Sequence, residues 1–460
     1  MRHASFAALL CLAGLLTPIP RAAAGLDAAT AAQVDEVAAE WLTSTAAPSV
    51  SIAIVQRGAL VYAKGYGHVR LTPDQPATTA GRYAIDSITK EFTSAAILLL
   101  AQQGKLSLDD PLAKWFADLG EASRVTLRQI LNHTSGIRDY WPQDFVTPPM
   151  TKPTTPQAII DEWGKRPLDF APGSDWQYSN TGYVLAGTVV ERVSGEPLFE
   201  FLRRHIFVPL HMMRVADKAA PLSDEDAAGY TRYALGPVQP APQEGAGWLF
   251  GAANLAMPPT ELALWDISLI ERSLLSAQSY EAQWAPVVLK DGSRRAYGLG
   301  LVVEDVQGRL RIGHAGSGSG FLADNRVWPH ERAAIVILTN NDWASPADLL
   351  DRIAFLVLPP TPAEARARAL FEAFQKGTVD RALFTPAGNA YLNDHVLADL
   401  RSSLGALGPA RLIELEHESR RGGMVTRLWK ILCRDVRLQA TERAYPGGPL
   451  EEFRITKRED

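Results

Sequence analysis

The 460-residue chain is too long for one compact core, which points to two domains or to one large domain carrying an insertion. Its 47 % hydrophobic and 21 % charged residues are those of an ordinary soluble globular protein. The net charge of -5 is spread over both signs with no long basic run, which excludes nucleic acid as a partner.

The chain opens on Met1-Arg2-His3, an apolar run "ASFAALLCLAGLL" and a small-residue site at Ala22-Ala23-Ala24. This order describes a secretory signal peptide over residues 1–24, and so a periplasmic or secreted protein. The run is shorter than the roughly 20 residues that span a bilayer, so no stable membrane span is expected after its removal. Leu10 precedes Cys11 where a lipoprotein signal wants a small residue, which argues against a lipid anchor. Removal leaves Cys433 alone, with no internal disulfide.

From Val50, "VSIAIVQRGALVYAKGYG" reads as two β-branched strands around an Arg57-Gly58 turn. A helix is expected from Ser87 to Gln103, with Asp86 as its N-cap and Gly104 as its stop. Residues 109–275 read as short helices between Pro-rich loops, the longest being 141–156 and 234–247; loops of this length are usually binding loops or lids. Strand text returns at "YGLGLVVE" (297–304), "LRIGH", "FLADNRVW" and "AAIVILTN", before a closing helix "ADLLDRIAFLVL". Early and late strands around a helical middle imply one sheet built from both ends, with a cleft where the parts meet. Residues 359–365 read as a linker, and 366–460 as a small α+β accessory domain of helices followed by an antiparallel meander.

Three separated motifs carry chemistry. In "DSITKEF", Ser87 and Lys90 stand three residues apart on one helical face, where the amine can help remove the serine proton. Ser-x-x-Lys alone is expected by chance about once or twice in a chain this long. In "QYSNTGY", Tyr178 can shuttle a proton and Asn180 can bond both a substrate carbonyl and the lysine; the competing reading is a surface turn before a core helix. In "GHAGSGSGF", a cationic His314 can bind a substrate carboxylate or steady the proton transfer, Gly316 lets a substrate approach the strand, and the Ser317 N–H can join that of Ser87 as an oxyanion hole. The glycine spacing there misses that of a dinucleotide loop, and neither serine fits G-x-S-x-G. His133 reads as a hydrogen-bonding turn residue, while Tyr140, Trp141 and Trp248 either line a pocket or pack the loops down. The remaining histidines lack metal-ligand spacing.

Ser-x-x-Lys, Tyr-x-Asn and His-x-Gly in this order resemble the serine β-lactamase and penicillin-binding family, in its class C and D-Ala-D-Ala carboxypeptidase branch. "VTLRQILNHTSGI" and "FAPGSDWQYSNTGYVLAGTVVERVSG" extend the likeness, which covers about Ala46 to Leu358. The resemblance implies an α/β (α+β) β-lactamase/transpeptidase-like fold, with a mainly antiparallel sheet flanked by helices and a helical insertion, over residues 25–358. It implies Ser87 as the acylated nucleophile, Lys90 as its activating partner, Tyr178 as general base and Asn180 as the substrate-orienting amide. His314 stands where β-lactamases usually carry lysine, and a neutral imidazole is a poorer carboxylate anchor than an ammonium. The implied activity is acyl-enzyme hydrolysis of amides or esters, such as D-amino-acid peptides, small esters or β-lactams, with a small-molecule or peptide substrate and no cofactor. The rival reading is a catalytically silent binding or scaffolding protein. Residues 366–460 resemble cystatin-like or NTF2-like accessory domains, and the sequence leaves the oligomeric state unset.

Overall fold

The computed structural model describes residues 25–458 apart from 144, 221, 222, 307 and 435. The expected signal peptide lies outside these residues. Helix α1 (Ala28–Thr45) starts at Asp27, whose carboxylate accepts the Thr30 N–H at 2.9 Å. Strands β1 (Ser49–Gln56) and β2 (Ala59–Leu71) form the hairpin that the Arg-Gly pair implied, with Arg57 and Gly58 both left-handed at φ 54° and 75°. A short strand, β3 (Asp74–Pro76), pairs with β2.

The helical middle is built on α2 (Thr89–Gln102), α3 (Asn180–Ser194) and α4 (Pro259–Glu271). Four strands follow, β4 (Val302–Val306), β5 (Arg309–Gly318), β6 (Phe321–Trp328) and β7 (Ala333–Thr339), and then α5 (Ala347–Val357). The sheet order is β4-β5-β6-β7-β1-β2-β3 with antiparallel neighbours throughout. The late strands therefore meet the early ones at β7 and β1, in register from Val50 opposite Thr339 to Val55 opposite Ala334.

Both faces of this sheet are covered, which is why β1 is buried at nearly every position. Ile52, Ile54, Ile335 and Ile337 pack with Trp41 of α1 and Ile353 of α5. Ala53, Val55, Val336 and Leu338, one residue out of phase, belong to the larger core with Phe92 of α2 and Trp265 of α4. Each fully buried side chain of this size contributes about 1.5–3 kcal/mol. Helix α2 is buried almost all round, so Lys90 and Glu91 are carried into the core with no exposed surface.

Three expectations are corrected. Asp86 is not an N-cap: it sits at φ 43° in a 3₁₀ turn (Asp86–Ile88), and Ile88 precedes α2 with no side-chain cap. Its carboxylate is drawn instead to Lys218, 3.3 Å away. The strand expected from Tyr297 begins only at Val302, because Gly300, at φ 82°, crosses the start of α2 so closely that a Cβ would lie 2.6 Å from the Lys90 carbonyl oxygen. The expected linker is shorter, since Thr361 and Glu364 form a capping box and α6 (Pro362–Gln375) starts inside it.

Beyond α6 come α7 (Asp394–Leu404) and a meander of β8 (Leu412–Arg421), β9 (Met424–Cys433), β10 (Val436–Ala444) and β11 (Leu450–Lys457), in that spatial order. Phe371, Phe374, Trp429 and Phe453 form a hydrophobic cluster of their own, and Cys433 is a buried free thiol. Arg411 reaches back to Glu36 at 3.2 Å and to Glu40, tying the meander to α1.

Candidate active site

Ser87 occupies the 3₁₀ turn between β-structure and α2, and it is partly exposed while its neighbours Asp86 and Ile88 are buried. One turn later the Lys90 ammonium nitrogen touches three oxygens: Ser87 Oγ at 3.0 Å, Asn180 Oδ1 at 2.8 Å and the Ala252 carbonyl at 3.0 Å. Burial holds the Lys90 pKa down at about 7, against the opposing pull of the Asp139 and Asp86 carboxylates. Its nitrogen also lies 4.7 Å from the centre of the Tyr178 ring.

Asn180 is the first residue of α3, and Ser179 is the N-cap, its hydroxyl accepting the Gly182 N–H at 3.3 Å. "SNTG" is not the surface turn of the competing reading, since Ser179, Thr181 and Gly182 are buried; it starts the core helix and presents the amide. Asp139 fixes which way that amide faces. It accepts the Asn180 backbone N–H and Nδ2, each at 3.1 Å, so Oδ1 turns toward Lys90. Asp139 carries no signal in the sequence, because its value comes from the packing of the 133–141 loop against α3.

The Tyr178 hydroxyl is buried and makes no hydrogen bond of normal geometry, although the residue is partly exposed. Burial raises its pKa well above the phenol range, with Ser87 pulling it down only in part. His133 supports it from behind: the rings are 4.2 Å apart, and His133 Nδ1 accepts the Ser179 N–H at 3.2 Å. The turn role expected of His133 is therefore real, and it also seats Tyr178.

Of the two forms expected for His314, the structure gives the neutral imidazole. Its Nδ1 is 2.6 Å from the Ala315 carbonyl, so that nitrogen must donate, and Nε2 faces the Tyr297 hydroxyl at 2.9 Å. Burial, with Lys90 nearby, lowers its pKa to about 3. The imidazole is neutral with both nitrogens engaged, and it is not a cationic carboxylate anchor. Gly316 also serves another purpose than expected: a Cβ there would lie 2.1 Å from the Ile85 carbonyl oxygen. The glycine lets β5 lie against the segment that carries Ser87, rather than against a substrate.

These groups open on a cavity of 1080 Å³ lined by Ser87, Tyr178, Asn180, His314 and Ser317. Tyr140 and Trp141 line it too, while Trp248 packs loops, donating from Nε1 to the Lys152 carbonyl at 2.8 Å and accepting from the Tyr140 hydroxyl. The two Pro-rich loops brace each other through Thr154 N–H to Ala246 O and Gly245 N–H to Met150 O, both 2.8 Å. Lys218, 3.3 Å from Asp86 and 3.7 Å from Glu244, links the second loop to the Ser87 turn. Among the described residues no group of three or more His, Cys, Asp or Glu side chains is placed to hold a metal, and no helix is long and apolar enough to cross a membrane.

The Beta-lactamase family model matches residues 28–358, most of the chain and all of this site. The chain belongs to the Beta-lactamase family. It is 28 % identical over 307 residues to penicillin-binding protein 4* of Bacillus subtilis (strain 168), covering 64 % of this chain and 68 % of that protein. Across the first curated relatives the matched stretch spans between 47 % and 68 % of their length. The octameric penicillin-binding protein homologue from Pyrococcus abyssi shares the fold over 92 % of this chain and 99 % of its own, with TM-score 0.64 and 22 % identity. A D-stereospecific amidohydrolase from Streptomyces sp. superposes over 71 % of this chain and 97 % of its own, with TM-score 0.61 and 25 % identity. This is a family of serine hydrolases, and the chain is an enzyme of that kind.

Proposed function

We propose that this protein is an exported serine hydrolase that cleaves amide bonds through an acyl-enzyme on Ser87, with residues 25–358 as the catalytic domain and 366–460 as an accessory domain. The observation that carries this is the three-oxygen hold on Lys90. Asn180 Oδ1 and the Ala252 carbonyl can only accept, so a neutral amine donates both its hydrogens to them and turns its lone pair to the Ser87 hydroxyl. With a pKa of about 7, that neutral form is populated at physiological pH.

Ser87 Oγ then attacks the carbonyl carbon while its proton passes to Lys90. The backbone N–H groups of Ser87 and Ser317 receive the oxyanion. Collapse of the adduct breaks the C–N bond, and the leaving nitrogen takes a proton from the Tyr178 hydroxyl, which regains one from Lys90. The sequence reading gave Tyr178 the base's part. Burial favours the neutral phenol and so makes Tyr178 the donor. Water releases the acyl group by the same path in reverse. The likeness to a D-stereospecific amidohydrolase supports amides of D-amino acids as substrates.

Intact-mass analysis after incubation with a fluorophosphonate and, in parallel, a penicillin tests this. One adduct is expected on the wild type and none on Ser87→Ala, with the labelling rate rising as pH increases through about 7, where Lys90 loses its proton. No adduct from either probe on folded wild type overturns the proposal in favour of a silent binding protein.

A further inference from the structure

The wall of the 1080 Å³ cavity has a one-sided charge pattern. Among the described residues that line it there is no lysine or arginine. Lys90 lies below Ser87 with its nitrogen held by three oxygens, and His314 is neutral with both ring nitrogens bonded. Two carboxylates do line the wall, Asp139 and Asp342. Asp139 is used up in orienting Asn180. Asp342, just past β7, is not: burial raises its pKa, and the groups that pull it down are Thr231 and backbone N–H groups, among them Gly320 N–H at 3.3 Å, none of them cationic.

The rim is aromatic. Phe145 and Tyr233 line the same cavity, yet they are 65 % and 70 % exposed, held out by the two Pro-rich loops or beside them. Aromatic faces beside an uncompensated carboxylate suit an ammonium ion. A substrate carboxylate entering beside Asp342 meets its negative charge with no lysine or arginine on the wall to offset it.

We infer that this cavity selects substrates bearing a free amino group away from the attacked carbonyl, and that Asp342 is the specificity-determining residue that reads this charge. The inference rests on the serine hydrolase reading above and deepens it. It places amino-acid amides and peptides with a free N-terminus ahead of compounds that carry a carboxylate at that position.

The test compares phenylalanine p-nitroanilide, as both enantiomers, with its N-acetyl and N-succinyl derivatives at pH 7 and low salt. For wild type, kcat/KM is expected to fall from free amine to acetyl to succinyl, by about tenfold or more overall, as one attractive contact turned repulsive predicts. Asp342→Asn should bring the free-amine and succinyl values within about threefold of each other, and Asp342→Glu should keep the preference. Calorimetric binding of phenylalaninamide and N-succinyl-phenylalaninamide to Ser87→Ala should show the same order without turnover. Equal handling of the succinyl compound by wild type, or an unchanged preference in Asp342→Asn, overturns the inference. Absence of fluorophosphonate labelling on wild type would sink the hydrolase reading alone, because the binding comparison decides the charge reading independently.

Discussion

Two buried charges at opposite ends of the chain are treated in opposite ways. Glu442, in β10, has no exposed surface, and both its oxygens are fully bonded: Arg366 and Arg427 reach Oε1, and the Trp429 indole N–H reaches Oε2 at 3.1 Å. Lys90 is just as buried, but its nearest partners are neutral oxygens, so burial rather than pairing sets its pKa. Around it the pattern repeats. Glu91 is pushed up to about 8 by burial with one carboxyl oxygen unbonded, and Asp86 to about 6, also with one oxygen unbonded. A charge that is fully paired serves the fold. A charge left under-paired in the core sits near its titration point and can exchange protons at neutral pH.

The largest effect should come from breaking the fully paired case. Glu442→Ala removes the partner of Arg366 and of the Trp429 indole N–H, while Arg427 keeps Glu418 at 2.8 Å, and it should destabilise the C-terminal region by roughly 3 kcal/mol. Denaturant unfolding followed by hydrogen exchange of the β9 and β10 amides reads this, and a loss under about 1 kcal/mol would mean that complete pairing is not what holds this charge. A smaller effect is expected at Asp139, which acts on the site through Asn180. Asp139→Ala frees the amide to turn its Nδ2 toward Lys90, and kcat for an amide substrate should fall about tenfold to a hundredfold, with KM moving much less. Rescue toward wild type by Asp139→Glu would mark orientation as the cause, and equal loss of kcat and gain of KM would point to a collapsed pocket instead.

Much of this was legible in the chain because local rules decided it. The apolar, β-branched runs of β1 and β7 marked the sheet, and the Arg57-Gly58 pair marked its hairpin. The three motifs with Ser87, Tyr178 and His314 marked the cavity floor. What escaped was set by contacts distant in sequence. Asp86 looks like an N-cap until Lys218, 132 residues on, draws its carboxylate away. His314 reads equally as a cation or a neutral imidazole until Tyr297 and its own strand's carbonyl bond both ring nitrogens. Asp139 and Asp342 sit in loops whose text says nothing of the pocket they face. Gly316 was rightly singled out, yet for the wrong neighbour, since the Ile85 carbonyl is brought beside it only by the packing of β5 on the serine turn.

The smallest expected effect also separates the two kinds of buried charge most cleanly, because it concerns stability at the catalytic lysine itself. The Lys90 pKa falls from 10.5 to about 7 on folding. Below pH 7 both folded and unfolded chains hold the proton, and the folded state carries a desolvated ammonium. Between about 7 and 10.5 the unfolded chain still holds that proton and the folded one has released it, so stability rises with pH across this window. Relative to Lys90→Met, which has no such proton, the wild type should gain about 1 kcal/mol between pH 7 and pH 8. Denaturant midpoints of the two proteins at these pH values measure the difference, and any background titration common to both cancels. A flat difference would place the Lys90 pKa outside the window and remove the neutral amine that deprotonates Ser87. The expected slope would show that the residue that makes the site reactive is also one that the fold would be more stable without.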